Sequence, residues 1–396
     1  MAVCGVVAEY NPFHNGHARH LALTKAQTGA EAIVCVMSGA FVQRGEPAIV
    51  GKQIRTEMAL RNGADIVLEL PVPYATAAAE RFAAAAVAIL SACGIVDGIS
   101  FGSESGDLAA LQAAARAGAA EDEAFRARLK ASLKTGQSFP AARGMADAGT
   151  VFTAPNDILA VEYLRAIDRQ GARLTPHVVL REGAGYHDAD VSGGIASATA
   201  VRAAILRGAT DAVRAAMPPD AADMLFAECA AMRAPVTMDM LSQAFHYALR
   251  MTPPERLAHI ADISEGLENR ILACADAHYA LSDMAAVVKT KRYTLARVRR
   301  TLLHILLQME VSAQAGLPPY IRVLGFRRER EGLLKRLCKE AAMPVVTNLK
   351  NARAQLSDGA YALFADELRA GDIYRIAAQG LGGCVADERR MPMAMV

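Results

Sequence analysis

Short apolar runs recur through the first half of the chain, each followed by a stretch with helical spacing. Residues 3–9 (VCGVVAE) and 32–38 (AIVCVMS) are short continuous apolar runs, as buried parallel strands require, and 65–70 (DIVLEL), 98–102 (GISFG) and 177–181 (HVVLR) read as three further strands. Helical spacing covers residues 17–27, 52–62 (stopped by Asn62-Gly63), an Ala-rich stretch ending at Gly94, 108–134, 156–168 and 197–207. This alternation predicts an α/β fold whose parallel sheet has right-handed crossovers and helices on both faces. Ligands of such sheets sit at the carboxyl ends of the strands. Beyond Pro218-Pro219-Asp220 the pattern is mostly helical, with candidate strands at 320–326 (YIRVLGF) and 344–347 (PVVT) and a frayed tail after Glu388. The expected division is a sheet domain over residues 1–215 and a mostly helical region over 216–396.

Composition narrows the class. The chain is 396 residues long, 53% hydrophobic and 21% charged, ordinary for a folded enzyme of two or three domains. It has no Trp and 5% aromatics, which argues against an aromatic-rich binding surface. The net charge is only +2, but between Lys289 and Arg336 twelve Lys/Arg face three acids, leaving a net −7 for the rest. A segment of +9 reads either as a surface for a polyanion or as solvated helix faces. The seven cysteines include no CxxC pair and several lie in apolar runs, which suits buried thiols in a reducing compartment. No basic n-region precedes the first apolar run, and no uncharged stretch reaches the roughly 18–20 residues of a membrane helix. The expectation is a soluble cytoplasmic protein with no membrane contact.

The densest chemistry follows the first predicted strand, in Glu9-Tyr10-Asn11-Pro12-Phe13-His14-Asn15-Gly16-His17. A helix start offers unpaired N–H groups and a partial positive charge, hence an anion site. Gly16 lets a ligand approach the backbone. His14 and His17, three apart, can both face one anion, and two imidazoles can donate to phosphate oxygens whose charge grows during transfer. His20 lies one turn further along the same face. A capped helix with incidental histidines and a three-histidine zinc site are the competing readings; the zinc site lacks a completing carboxylate or cysteine at suitable spacing.

His14-Asn15-Gly16-His17 resembles the signature of the HIGH-type nucleotidyltransferases, which bind ATP and act at its α-phosphate. The longer string GVVAEYNPFHNGH, with FVQRGEPA (41–48), ADIVLELP (64–71) and FGSE (101–104), resembles the bacterial tRNA(Met) cytidine acetate ligase family across the whole chain. One departure is Ala40, where the family usually has Asn, so the loop after the second strand lacks a side-chain amide. The resemblance implies a Rossmann-like parallel-sheet domain and a chemistry in which ATP and acetate give acetyl-adenylate. The acetyl group then passes to N4 of the wobble cytidine of elongator tRNA(Met).

For the site, it implies ATP contacts from Val7, Ala8, Glu9, Tyr10, Asn11, Pro12, Phe13, His14, Asn15, Gly16, His17 and His20. Gly102 would let a base or ribose approach, or simply end its strand. Asn156 would touch the nucleotide or cap its helix; Arg181 and Glu182 would offer a phosphate fork and a carboxylate, or a surface ion pair. Ser197 and Thr199, in SATAVR, match the second phosphate motif of these transferases, with Arg202 neutralising pyrophosphate; an ordinary capped helix is the alternative. The catalytic set is then His14, His17, Arg202 and Lys52, the last a mobile cation over the α-phosphate or the RNA, or else a solvated lysine. Lys289, Lys291, Arg292, Arg297 and Arg300 would hold tRNA. Mg²⁺ enters with ATP, and no protein metal site is expected. The sequence leaves oligomeric state open. A rival is an adenylyltransferase joining AMP to a small phosphorylated metabolite, but such an enzyme has no need of a long +9 region. The full set of phosphate motifs counts against a non-catalytic RNA-binding protein.

Overall fold

A computed structural model of the chain describes residues 1–117, 123–135, 152, 154–181 and 196–396. Strands β1 (Val3–Ala8), β2 (Ala32–Ser38), β5 (Ile66–Leu70), β6 (Gly98–Ser103) and β7 (Thr175–Leu180) form the parallel sheet that the apolar runs predict; β3 (Phe41–Val42) and β4 (Glu46–Pro47) make a separate hairpin. The main sheet also takes β8 (Ile321–Phe326), β9 (Val345–Val346) and β10 (Ala394–Met395), in the order β10-β8-β5-β2-β1-β6-β7 with β9 also against β8. Among the first five parallel strands the chain steps one way from β1 to β2 and β5, then reverses to β6 and β7. The reversal leaves a crevice at the carboxyl ends of β1 and β6.

Helices α1 (Asn15–Thr28), α2 (Lys52–Arg61), α3 (Ala79–Ala92), α4 (Pro155–Gln170) and α5 (Ala198–Leu206) cover the sheet. Every residue of β2 and β5 is buried, and apart from Ser38 and Glu69 both strands are apolar. Alternate side chains of β2 serve two cores. Val34 and Val36 pack with Phe82 and Val87 of α3 and Leu164 of α4. Ile33, Cys35 and Met37 pack on the other face with Leu21 of α1, Met58 of α2 and Val201 of α5. The alanines of α3 give it a flat, thin face.

The C-terminal half is mostly helical as expected. Its bundle, including α6 (Leu295–Leu307) and part of α7 (Asp358–Gln379), has its own core around Phe245, Ile271, Leu302 and Tyr374. The division at residue 215 fails in one respect: β8 runs antiparallel to β5 inside the sheet, so the second half of the chain completes the first. The tail is not frayed either. Ala394 and Met395 pair with Gly325 and Phe326, and Glu388 is drawn into a buried ion cluster.

That cluster corrects the reading of Lys52. The lysine is neither mobile nor solvated but 4% exposed, with Nζ 2.6 Å from Glu69 Oε1, 2.8 Å from Glu388 Oε1 and 3.6 Å from Glu367 Oε1. Arg322 of β8 completes it, with Nη1 2.7 Å from Glu69 Oε2 and Nη2 paired to Glu388. A lysine so surrounded has its charge spent on protein carboxylates, so Lys52 leaves the catalytic set and instead ties α2 to the returning chain. No helix among the described residues is long and apolar enough to cross a membrane.

Candidate nucleotide site

The loop leaving β1 enters α1 through an uncommon cap. His14 is the N-cap, and its Nδ1 accepts the Gly16 N–H at 3.1 Å. His17 Nδ1 in turn accepts the His14 N–H at 3.3 Å, and the rings stack with centroids 3.7 Å apart. Two imidazoles thus form the reciprocal cap that Ser and Glu usually make. An Nδ1 that accepts carries no proton, so each neutral ring has its hydrogen on Nε2. Burial, with Arg181 and Arg202 nearby, pushes His14 down to about 3; burial and the His14 ring hold His17 well below the usual range. Burial and Arg181 take His20 down to about 4. His20 Nε2 lies 3.2 Å from Ser100 Oγ of β6. All three are neutral at pH 7, and both cap rings line the cleft. The Gly16 N–H is itself taken up by His14.

The second phosphate motif faces the first. Ser197 caps α5 by accepting the Ala200 N–H at 3.1 Å. One turn on, Arg202 donates to the Asn11 carbonyl at 2.8 Å and to Thr199 Oγ1 at 3.3 Å. Asn11 is fixed by its own Oδ1, which accepts the Ile49 N–H at 2.7 Å. The two helix starts therefore share one mouth. At the β6–β7 side, Arg181 Nη1 lies 3.5 Å from Asn156 Oδ1, and Asn156 Nδ2 donates to Glu104 at 2.5 Å. Asp157, buried at the start of α4, accepts from Ser103 Oγ at 2.5 Å and from the Glu104 N–H at 3.1 Å, locking the strand end to the helix. A Cβ on Gly102 would sit 3.2 Å from Arg181 Cγ, so glycine there keeps the floor open beneath the guanidinium.

Beneath the loops after β1 and β2 lies Arg55 of α2, wholly buried. Its guanidinium donates to the carbonyls of Glu9 (2.7 Å), Ser38 (3.0 Å), Val50 (3.1 Å) and Gly39. The β3–β4 hairpin folds over this platform, and the Gln43 N–H donates to Glu9 Oε1 at 2.7 Å.

The cleft, about 350 Å³, brings together most of the residues singled out from sequence: Val7, Ala8, Glu9, Tyr10, Asn11, His14, Gly16, His17, His20, Gly102, Asn156, Arg181, Ser197, Thr199 and Arg202. It excludes three. Phe13 is core, its ring 4.8 Å from that of Tyr10; Pro12 is buried beside it; and Asn15 points away, donating to the Ala215 carbonyl at 2.9 Å. Glu182 lies outside the described residues. The cleft also contains Arg19, Gln43, Arg44, Glu104 and Tyr163, which sequence reading does not place there. The FVQRGEPA string holds the signal for Gln43 and Arg44, but nothing local says that its turn reaches the mouth of the first motif.

Of the proposed RNA contacts, Lys289, Lys291 and Arg292 are exposed. Arg297 and Arg300 are engaged by the protein itself: Arg300 Nε is 2.8 Å from Asp262 Oδ2, and Arg297 Nη2 donates to Ser264 at 2.5 Å. Both remain half-buried at the edge of that patch.

A reversing parallel sheet with a histidine-capped helix at its crevice, opposed by a second capped helix bearing an arginine, is the frame of a nucleotide-binding transferase. The chain belongs to the HIGH nucleotidyl transferase family, whose model matches residues 1–383. Similar proteins include a tRNA(Met) cytidine acetate ligase of Thermoanaerobacter sp. (strain X514), 38% identical over 95% of this chain and 96% of its own. Another, of Caldicellulosiruptor saccharolyticus, is 43% identical over 82% of each chain. Crystal structures of Thermotoga maritima TmcAL superpose over the full length of both chains at 33% identity. The TM-score is 0.92 for the form bound with alpha-thio ATP and 0.94 for the apo form.

Proposed function

We propose that the protein is an ATP-dependent tRNA(Met) cytidine acetate ligase working in the cytoplasm. The observation that carries the reading is the shared mouth of the two capped helices, which sets two neutral Nε2–H donors opposite Arg202. In the first step an acetate oxygen attacks the α-phosphorus of ATP and the bond to the β-phosphate bridging oxygen breaks, giving acetyl-adenylate and pyrophosphate. The imidazole N–H groups of His14 and His17 meet charge growing on the α-phosphate, and preorganised donors of this kind cost no reorganisation at the moment of reaction. Ser197, Thr199 and Arg202 hold the departing pyrophosphate. The adenosine lies at the side of the cleft formed by Gly102, Asn156 and Arg181. Mg²⁺ would be carried in by the triphosphate, held by phosphate and water oxygens, and would neutralise part of the phosphate charge.

In the second step N4 of the wobble cytidine of elongator tRNA(Met) attacks the acetyl carbonyl and AMP leaves, with loss of the N4 proton. An activated acyl group needs no covalent protein nucleophile. An anticodon loop makes turning the base outward cheap, and the exposed Lys289, Lys291 and Arg292, with Arg297 and Arg300 at their edge, meet RNA phosphates. The test is incubation with ATP, labelled acetate and total tRNA, followed by nucleoside and nucleotide analysis. Labelled N4-acetylcytidine with AMP and pyrophosphate is expected; ADP and orthophosphate, or AMP on a small metabolite, would overturn the reading.

A further inference from the structure

The β3–β4 hairpin joins two surfaces that function must coordinate. On one side, Gln43 and Arg44 line the nucleotide cleft. On the other, its turn is seated on α6: Gly45 has φ +75, and any Cβ there would collide with the backbone of Arg299 and Arg300. Between the two stands Glu46. One carboxylate oxygen is paired with Arg299 of the basic helix, and the other lies 3.9 Å from Arg202 Nη2. A single carboxylate, 20% exposed, thus sits between an arginine of the phosphate motif and an arginine of the +9 segment.

We propose that Glu46 is a positioning residue that links pyrophosphate release to RNA docking. The inference rests on the function proposed above. With no RNA present, Arg299 holds Glu46, and Arg202 is left to the nucleotide's phosphates. RNA phosphates arriving at α6 compete for Arg299. Glu46, losing that partner in a site from which water is partly excluded, takes the nearest alternative cation, Arg202. The pyrophosphate then loses a ligand just as the acyl acceptor arrives. Carboxylate–guanidinium pairs exchange partners readily because the planar fork offers several equivalent faces. Linkage makes the effect reciprocal: if RNA weakens pyrophosphate, pyrophosphate must weaken RNA by the same factor.

The experiment titrates full-length protein with Mg-pyrophosphate by calorimetry, with and without saturating tRNA(Met) transcript, in the wild type and in Glu46→Gln. The expected result is an approximately five- to tenfold weakening by tRNA in the wild type, collapsing to less than about twofold in Glu46→Gln. Gly45→Ala, which must lift the hairpin from α6, should also lose the linkage while the protein still binds pyrophosphate. A merely structural role for Glu46 would lower both affinities and leave their ratio unchanged. Equal linkage in wild type and Glu46→Gln, or none in the wild type, overturns the inference while leaving the ligase reading intact. Failure of the wild type to bind either ligand sinks that reading, and the inference with it.

Discussion

Replacing Glu367 by Gln isolates the buried cluster between α2, β5, β8 and α7. Three carboxylates (Glu69, Glu367 and Glu388) face two cations, Lys52 and Arg322, and all are buried or nearly so. The cluster is neutral only if one acid keeps a proton. Glu388 is not that acid: burial opposes its charge, but Lys52 and Arg322 pull it down to about 2. Glu367 fits the role. Burial and the Glu69 carboxylate raise it to about 8, its Oε2 accepts the Val72 N–H at 2.5 Å, and its Oε1 accepts no hydrogen bond from the described residues. A proton on Glu367 also relieves its repulsion with Glu69, and glycine at position 39 leaves room for both carboxylates, since a Cβ there would lie 2.5 Å from Glu69 Oε1 and 2.7 Å from Glu367 Oε1. Because the folded-state value lies above the ordinary 4.5, this group's contribution is fully present below about pH 4.5 and is lost as pH rises through about 8. That span, at 1.36 kcal/mol per pKa unit, is on the order of 5 kcal/mol. Gln is neutral at every pH and keeps an acceptor for Val72, so it removes the titration without emptying the site. Urea unfolding at pH 5, 7 and 8.5 should show Glu367→Gln gaining on the wild type by up to about 1.4 kcal/mol per pH unit across this window. Groups outside this cluster titrate alike in both proteins. A stability difference that stays constant from pH 5 to 8.5 would show that Glu367 is ionised in the folded protein and refute the reasoning.

Further expectations concern the cleft and the RNA surface. His17→Ala should lose about 3–4 kcal/mol of transition-state stabilisation, read as a fall of several hundredfold or more in acetate-dependent turnover with the thermal midpoint little changed; near-normal turnover would remove His17 from the mechanism. Because His14 and His20 are held near 3 and 4, below the ordinary 6.5, their neutral burial stabilises the fold above pH 6.5 and is progressively lost as pH falls toward 3. A His14→Asn, His20→Gln double variant should accordingly unfold over a lower pH range, and an unchanged acid midpoint would contradict the buried neutral state. Neutralising Lys289, Lys291 and Arg292 together should weaken tRNA binding and flatten its dependence on salt by roughly 0.7–0.9 in log–log slope per lost contact, with ATP affinity unchanged by calorimetry. An unaltered slope would place the RNA elsewhere.

What can be read from the sequence follows the range of the forces involved. β1 and β2 announce themselves because a strand buried on both faces leaves a nearly unbroken apolar run, whereas β5 carries the buried Glu69 and the edge strand β7 is only partly buried. The phosphate motifs are local too: His14 to His17 spans about one helical turn and Ser197 to Arg202 about one and a half, so each can be read from a few consecutive residues after a loop. The errors come from contacts that span the chain. Lys52 after a glycine looks like any surface lysine, and only Glu69, Glu367 and Glu388 make it a buried one. YIRVLGF is legible as a strand, but its place beside β5, antiparallel, depends on Arg322 finding Glu69. The tail looks frayed in sequence because two residues pairing with Gly325 and Phe326 leave no periodicity to detect. Arg297 and Arg300 count as free positive charge until the fold puts Asp262 and Ser264 against them.

The imidazole cap on α1 sets an unusual rule for which residues can stand at its entrance. Asparagine, aspartate and serine are the strongest helix caps by their ability to accept from the first amides. On the mechanism proposed above acceptance alone is not enough, because the same side chain must offer a hydrogen on its far side. Aspartate would satisfy the helix but present charge of the same sign as the triphosphate, and serine's single oxygen is too short to serve both neighbours. The side chain must take a hydrogen bond at one end and give one at the other, across a rigid body about the length of a ring. Helix stability and catalysis then make demands on one side chain that can be measured separately. His14→Ser is expected to leave α1 as firmly started as before while the cleft loses its grip on the phosphate, so a stability screen would pass a protein that an activity screen rejects.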